Sequence, residues 1–169
     1  MRRSASLIAL CIGLVFNPAQ ADPLPQRWVS AGGALSEWIA ELGAEQRLVG
    51  VDTTSQHPET LKALPSIGYQ RQLSAEGVLS LRPDVLVGTE EMGPPPVLSQ
   101  IRGAGVKVEL FSSGATLEAV HGNLKHLGEL LGTPEQAEQR FADYRQQLDA
   151  LQVKIKAAQG LSLIHISEP

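Results

Sequence analysis

The sequence predicts an α/β fold built on a doubly wound parallel sheet, and three observations lead to this prediction. Short apolar runs alternate with amphipathic stretches over most of the chain. Glycine and proline separate these segments at intervals typical of strand-helix-strand repeats, which pair their strands in parallel through right-handed crossovers. The composition, 43% hydrophobic and 19% charged, is that of a globular protein and excludes fibrous, disulfide-scaffold and disordered classes.

The first predicted unit is a strand followed by a helix. The strand occupies residues 27–30, and Gly32 and Gly33 turn the chain into a helix at 34–42 with one apolar face. Gly43 ends this helix.

The next segment predicts a second strand and two helices. The strand at 47–51 leads into the polar loop 52–58 and a short helix that ends at Leu64. Ser74 is a good N-cap for the following helix, which Pro83 stops.

Two further strands complete the predicted sheet. The third strand is expected at 84–88 and the fourth at 106–111, with a proline-opened helix at 94–101 between them. Thr116 caps a helix that runs to residue 131.

A long polar helix follows the sheet. Residues 133–136 have the spacing of a capping box with proline at the first helical position, and the helix extends to residue 158. A helix of this length spans about 37 Å, more than the sheet needs, which predicts a connector. Its apolar stripe consists of Phe141, Tyr144, Leu148, Leu151 and Ile155.

Both ends of the chain are set apart from this fold. Residues 1–21 combine a basic start, an apolar run that includes Cys11 and a small-residue cleavage site, as in a secretory signal peptide. A membrane-spanning helix is the alternative interpretation, but the apolar run is too short for one.

Residues 161–169 resemble a non-native read-through tail, so we expect the native gene to continue; a genuine terminal strand is the alternative. His165 in this tail receives no functional role.

The charge pattern excludes one class of partner. The formal charge is −4, and removing residues 1–21 leaves 12 basic against 18 acidic residues and no cysteine. No basic stripe suits a nucleic-acid backbone or an anionic membrane, so we expect neither as a partner.

Three stretches carry a family resemblance. Residues 29–33, 49–55 and above all 68–84, with the run Gly-Tyr-Gln-Arg-Gln-Leu-Ser-Ala-Glu-Gly, resemble the periplasmic haem-binding proteins of bacterial haem ABC importers. The resemblance implies an N-terminal α/β lobe at 22–132 and a connecting helix at 133–158, with the second lobe of the bilobal fold absent. It also implies a periplasmic, monomeric protein that carries haem b as cargo to an ABC permease and its ATPase.

The same resemblance assigns roles to three residues. Tyr69 is implied as the axial ligand of ferric haem iron, which suits a hard phenolate donor. Arg71 is implied as its support, because a nearby cation favours the ionised phenol. Glu76 is implied as a permease-docking carboxylate, although a helix-dipole interaction explains it equally well.

Other residues are weaker candidates. His57, Glu90, Glu91 and Met92 are expected to line the ligand cleft, with plain loop positions as the alternative, since Glu90–Met92 follow a strand at its carboxyl end. The Gly32-Gly33 pair lacks the remainder of a nucleotide-binding motif. His121 and His126 are five residues apart on one helix and therefore on different faces, which does not suit a metal pair.

Three functions follow from the sequence. Haem transport is favoured by the 68–84 motif; a carrier of another iron chelate or of cobalamin is the alternative. An enzyme has the least support, because no nucleophile elbow, catalytic cysteine or metal-ligand cluster is present in the sequence.

Overall fold

A computed structural model describes residues 24–158 and gives a four-stranded parallel sheet with helices on both faces. The predicted signal peptide with Cys11 and the predicted tail with His165 lie outside the described residues. In chain order the elements are β1 (Trp28–Ala31), α1 (Gly33–Glu41), a 3-10 helix (Glu45–Arg47), β2 (Leu48–Val51), a second 3-10 helix (Glu59–Ala63), α2 (Ala75–Ser80), β3 (Val85–Thr89), α3 (Pro95–Gly103), β4 (Lys107–Phe111), α4 (Leu117–Leu131) and α5 (Pro134–Ala158).

The strand order is β2-β1-β3-β4, with every neighbouring pair parallel. The chain first moves from β1 to one side and then crosses over to add β3 and β4 on the other side. The order therefore reverses between β1 and β3, as in a doubly wound sheet.

Alternation along the strands divides the apolar core between the two faces of the sheet. Trp28, Val85 and Val87 point to one face and pack with residues of α1 and α4. Val29 and Leu86 point to the other face and pack with residues of α2 and α3. Because both faces are covered, the central strands are almost wholly buried, as parallel sheets require.

The predicted elements agree with the structure to within two residues. The short helix expected to end at Leu64 is a 3-10 helix. Its i to i+3 bonds run from Leu61 N to the Pro58 carbonyl (3.0 Å) and from Leu64 N to the Leu61 carbonyl (3.1 Å). The segment lies between Pro58 and Pro65 and is too short to propagate an α-helix.

The long helix α5 packs on the rest of the fold through its first half only. Ala137 of α5 is buried against α4. Tyr144 of α5 makes an edge-to-face contact with Trp38 of α1, with 5.7 Å between ring centroids. Farther along, Leu151, Val153 and Ile155 are 51%, 67% and 49% exposed. Within residues 24–158 no helix is long and apolar enough to cross a membrane.

Candidate ligand-binding site

The candidate site is a groove of about 220 Å³ at the carboxyl ends of the strands. It is formed by the start of α1, the segments after β3 and β4, and the loop before α2. The position coincides with the reversal of strand order, where open α/β sheets leave a crevice for ligands. Its lining residues are Gly32, Gly33, Ala34, Leu35, Gln70, Thr89, Glu91 and Ser113.

The β1–α1 turn on the groove wall is held by a buried carboxylate. Gly32 has a φ of +140°, a conformation that only glycine adopts readily, and its N–H donates to Asp52 Oδ1 at 3.1 Å. Asp52 is only 2% exposed and also accepts from the hydroxyls of Thr54 (2.8 Å) and Ser55 (2.9 Å). Thr54 Oγ1 in turn accepts from Gly33 N at 2.9 Å.

Hydroxyl groups of β1, of α1 and of the loop after β2 extend this network. Ser36 of α1 donates to Ser30 of β1 at 2.8 Å, and its oxygen is 2.7 Å from that of Ser55. All three serines are buried. This network was not predicted from the sequence, although the polar run that begins at Asp52 is a local feature that points to it.

The Asp52 loop continues to the segment that carries Tyr69. Thr53 N donates to the Gly68 carbonyl at 3.0 Å, immediately before the tyrosine, and Gln72 N closes a turn on the Tyr69 carbonyl at 2.8 Å. Tyr69 is 41% exposed, and it is not among the residues that line the groove.

A second set of backbone bonds joins the tyrosine loop to the loop after β3. Gly93 N donates to the Gln70 carbonyl at 3.0 Å, and Leu73 N donates to the Gly93 carbonyl at 2.9 Å. The side chain of Gln70 lies over the turn, and its Oε1 is buried with no donor among the described residues. Gln70 is one of the residues that line the groove.

Arg71 is paired with a carboxylate on the facing loop. Its Nη2 donates to Glu91 Oε2, and this hydrogen bond, with the charge of the carboxylate, raises the pKa of the guanidinium above its ordinary value. The charge of Tyr69 contributes to this pKa in the same direction, after the hydrogen bond and the charge of Glu91. The guanidinium predicted to support the phenol is thus paired with Glu91 in the structure.

The other residues predicted to line the cleft or to contact the permease differ in their burial. Glu90 is exposed, and Met92 is buried in the core against Gly88, so its side chain does not line the groove. His57 lies in the exposed loop before the second 3-10 helix and outside the groove lining. Glu76 is exposed in the first turn of α2, whose predicted cap is confirmed by a 3.1 Å bond from Gly77 N to Ser74 Oγ.

The two histidines of α4 have separate partners. His121 stacks on Phe141 with 4.1 Å between ring centroids, and its Nε2 is 2.9 Å from a Glu138 oxygen. His126 Nε2 is 3.1 Å from Glu109 Oε2 on β4. Both histidines therefore tie elements together, and each is only partly exposed.

Three larger grooves lie along α5. One, of about 440 Å³, lies between α5 and α1, and two, of about 450 and 270 Å³, lie between α5 and α4. None is lined by the strand ends or the Tyr69 loop, and only the first shares a residue, Ala34, with the candidate groove.

Comparison with known proteins gives a consistent family relationship. Residues 29–165 match the family model described as periplasmic binding protein. Curated relatives include the vitamin B12-binding proteins of Vibrio campbellii, 24% identical over 94% of this chain and 58% of the relative, and of Pectobacterium atrosepticum, 27% identical over 78% and 47%.

Solved structures show closer similarity. A periplasmic heme binding protein from Pseudomonas aeruginosa is 65% identical with a TM-score of 0.80, over 82% of this chain and 50% of that chain. The periplasmic heme binding protein HutB of Vibrio cholerae is 42% identical with a TM-score of 0.71, over 76% and 50%. The chain spans about half the length of these proteins. The predicted fold class and the predicted resemblance are both confirmed.

Proposed function

We propose that this chain, which belongs to the periplasmic binding protein family, captures ferric haem and delivers it to a membrane permease. The observation that carries this proposal is the exposed Tyr69, which precedes the groove-lining Gln70 in the same loop, in a chain 65% identical to a periplasmic heme binding protein. The family and its solved neighbours are substrate-binding proteins, so binding and release, without covalent chemistry, constitute the activity.

Haem is favoured over other cargoes by the degree of similarity. The haem-binding neighbours are 65% and 42% identical to this chain, whereas the vitamin B12-binding relatives are 24% and 27% identical. A cobalamin carrier is the second candidate function, because those relatives match over most of the chain.

The iron ligand in this proposal is the Tyr69 phenolate. Ferric iron is a hard acid, and tyrosine is an established haem ligand. An unperturbed phenol titrates near pH 10, so binding at neutral pH requires the charge of the metal and of a neighbouring cation. Arg71, two residues along the same loop, is the cation that we propose for this role.

The groove contributes one wall of the proposed haem site. Backbone bonds on both sides of the tyrosine loop fix its position before the ligand arrives, which reduces the ordering cost of binding. Apolar porphyrin surface would be stabilised by about 25 cal/mol for each Å² removed from water. Since the relatives are about twice as long, we expect their additional half to correspond to the opposite wall.

Delivery requires a surface that the permease can recognise. We propose Glu76 for this role, because its carboxylate is exposed at the start of α2 and faces no competing ion pair in the described part of the chain. The permease with its ATPase, residence in the periplasm after signal-peptide cleavage, and a monomeric state complete the proposal.

The test is a haemin titration of the purified chain, followed by difference absorbance. We expect a high-spin, tyrosinate-type spectrum in the wild type and its loss in Tyr69→Phe. The haemin affinity of the variant should fall about tenfold or more, because removing a metal ligand lowers affinity by more than removing a partner that supports the ligand. Tyr144→Phe is the matched control, since the sequence contains two tyrosines and Tyr144 packs on Trp38 away from the groove.

Two results would count against the proposal. An unchanged spectrum in Tyr69→Phe would remove Tyr69 as the ligand. A wild-type chain that binds cyanocobalamin but not haemin, in a parallel titration, would replace haem transport by the second candidate function.

A further inference from the structure

We propose that Ser113, in the loop between β4 and α4, binds the cargo through its hydroxyl, and that Asn123 of α4 is the positioning residue that holds it at the groove. The inference rests on the proposed function, in which the groove receives part of a haem. It adds a binding residue and its support on the β4 side of the groove.

The candidate groove holds only part of the proposed cargo. Its volume is about 220 Å³, below the roughly 300–1,000 Å³ of pockets that enclose a complete small-molecule ligand. A haem bound here places one edge in the groove, so the lining residues decide how well that edge is held. Ser113 is the residue that the β4–α4 loop contributes to this lining.

The chemistry of Ser113 suits a polar substituent at that edge. A serine hydroxyl donates or accepts a hydrogen bond, and the Ser113 side chain forms none with the protein among residues 24–158. Haem carries two carboxylate side chains, which accept such a bond. The carboxylate that lines the same groove, Glu91, is paired with Arg71, so its charge is balanced.

Core packing does not fix the loop that carries Ser113. Residues 112–116 are all exposed and follow the buried Phe111 at the end of β4. Exposed loop segments of this kind are mobile unless hydrogen bonds restrain them. The position of Ser113 therefore depends on the hydrogen bonds of its neighbours.

Asn123 restrains the loop through both polar atoms of its amide. Asn123 Oδ1 accepts from Ser112 N at 3.0 Å, and Asn123 Nδ2 donates to the Ser112 carbonyl at 2.9 Å. Ser112 directly follows β4, so the amide bonds the two backbone groups that a neighbouring strand would otherwise satisfy. Ser112 Oγ also accepts from Gly114 N at 3.1 Å. The residues on both sides of Ser113 are thus held on α4.

The test compares haemin affinity with the free energy of unfolding. Asn123→Leu keeps the branched shape of the side chain, removes both bonds to Ser112 and places a better helix former in α4. We expect its haemin affinity to fall about two- to tenfold, the effect of losing one hydrogen bond to the cargo. The unfolding free energy should stay close to that of the wild type, because the gain in helix propensity offsets the lost bonds.

Arg47→Ala is the matched control. Arg47 Nη1 donates to the Leu131 carbonyl at 3.1 Å, so this side chain also fastens α4 by a bond to backbone, but at the end of the helix away from the groove. We expect Arg47→Ala to lower the unfolding free energy and to leave haemin affinity unchanged.

A double-mutant cycle tests whether Asn123 acts through Ser113. Ser113→Ala alone should weaken haemin binding about two- to tenfold. Adding Asn123→Leu to it should cause no further loss, because the contact that Asn123 positions is already absent.

Hydrogen exchange of the empty protein measures the positioning without any cargo. The amides of Ser112 and Gly114 should exchange faster in Asn123→Leu than in the wild type, and at an unchanged rate in Arg47→Ala.

The outcomes separate this inference from the proposed function. Unchanged haemin affinity in Asn123→Leu or Ser113→Ala, additive losses in the double variant, or unchanged exchange at Ser112 would overturn the inference and leave the proposed function intact. Failure of the wild type to bind haemin would overturn both.

Discussion

At the scale of single residues, Asp52 has the largest structural role at the site edge. Its carboxylate is almost fully buried and accepts hydrogen bonds from Gly32 N and from the Thr54 and Ser55 hydroxyls. Burial of a carboxylate is tolerated only where such donors replace water. Asp52 therefore links the β1–α1 turn to the loop that leads to Tyr69.

Asp52→Ala tests this link. We expect a loss of about 2–3 kcal/mol in the free energy of unfolding, because several buried donors lose a charged acceptor. Chemical denaturation of the purified chain measures the loss, and Asp149→Ala, at an exposed site on α5, is the control. Equal stability of the two variants would contradict the proposed importance of the network.

At the scale of elements, the junction of α4 and α5 depends on a close approach. Gly132 ends α4 with a φ of +76°, and Thr133 N donates to the Gly128 carbonyl at 2.8 Å, which turns the chain directly into α5. A Cβ on Gly128 would lie 2.5 Å from the Cβ of Ala137. The two helices thus pack through a position where a side chain does not fit.

Paired glycine substitutions in α4 test this packing. Gly128→Ala should lower the unfolding free energy, because a strain of about 1–3 kcal/mol exceeds the gain in helix propensity. Gly122→Ala, where a Cβ meets open space, should raise it by about 0.5–1 kcal/mol. Thermal or denaturant unfolding distinguishes them, and effects of the same sign would contradict the close approach.

At the scale of the whole molecule, interactions across the sheet edge connect stability to pH. Glu109 on the edge strand β4 contacts Lys107 at 2.9 Å and His126 of α4 at 3.1 Å. Partial burial alone would raise the pKa of Glu109, but the hydrogen bonds and charges of Lys107 and His126 outweigh burial and lower it. A carboxyl group with a lowered folded-state pKa stabilises the fold above its unfolded pKa.

Glu109→Gln should therefore be less stable than the wild type near neutral pH. The difference in unfolding free energy between the two proteins should begin to shrink as the pH falls below about 4.3, the ordinary pKa of glutamate. It should vanish as the pH passes the lower folded-state pKa of Glu109, because the wild type then loses the charge that the variant lacks. Denaturation at several pH values measures the trend. Glu37→Gln, on the exposed face of α1, should show no comparable dependence; a difference for Glu109→Gln that stays constant with pH would contradict the argument.

Local sequence signals were sufficient for most of the fold. The apolar runs, the Ser74 and Thr116 caps and the glycine after α4 have local physical effects, so the strands and α-helices lie within two residues of their predicted positions. The short helix predicted before Leu64 is also present, and the structure adds that it is a 3-10 helix, a type used for such short segments.

For the site, sequence patterns identified residues but not their partners. The motif around Tyr69 and Arg71 and the acidic pair after β3 were recognisable as sequence features. The pairing of Arg71 with Glu91 was not, because those residues are 20 positions apart and meet only through two loops. Met92 was expected in the cleft and lies in the core, since its orientation depends on the close approach to Gly88.

The sequence by itself determined the fold class, the family and the tyrosine candidate, because periodicity, caps and motifs act over a few neighbouring residues. The tertiary structure alone decided the strand order, the burial of Asp52 and the pairing of Arg71 with Glu91. These features depend on contacts between distant segments, whose geometry exists only after the sheet has brought the strand ends together.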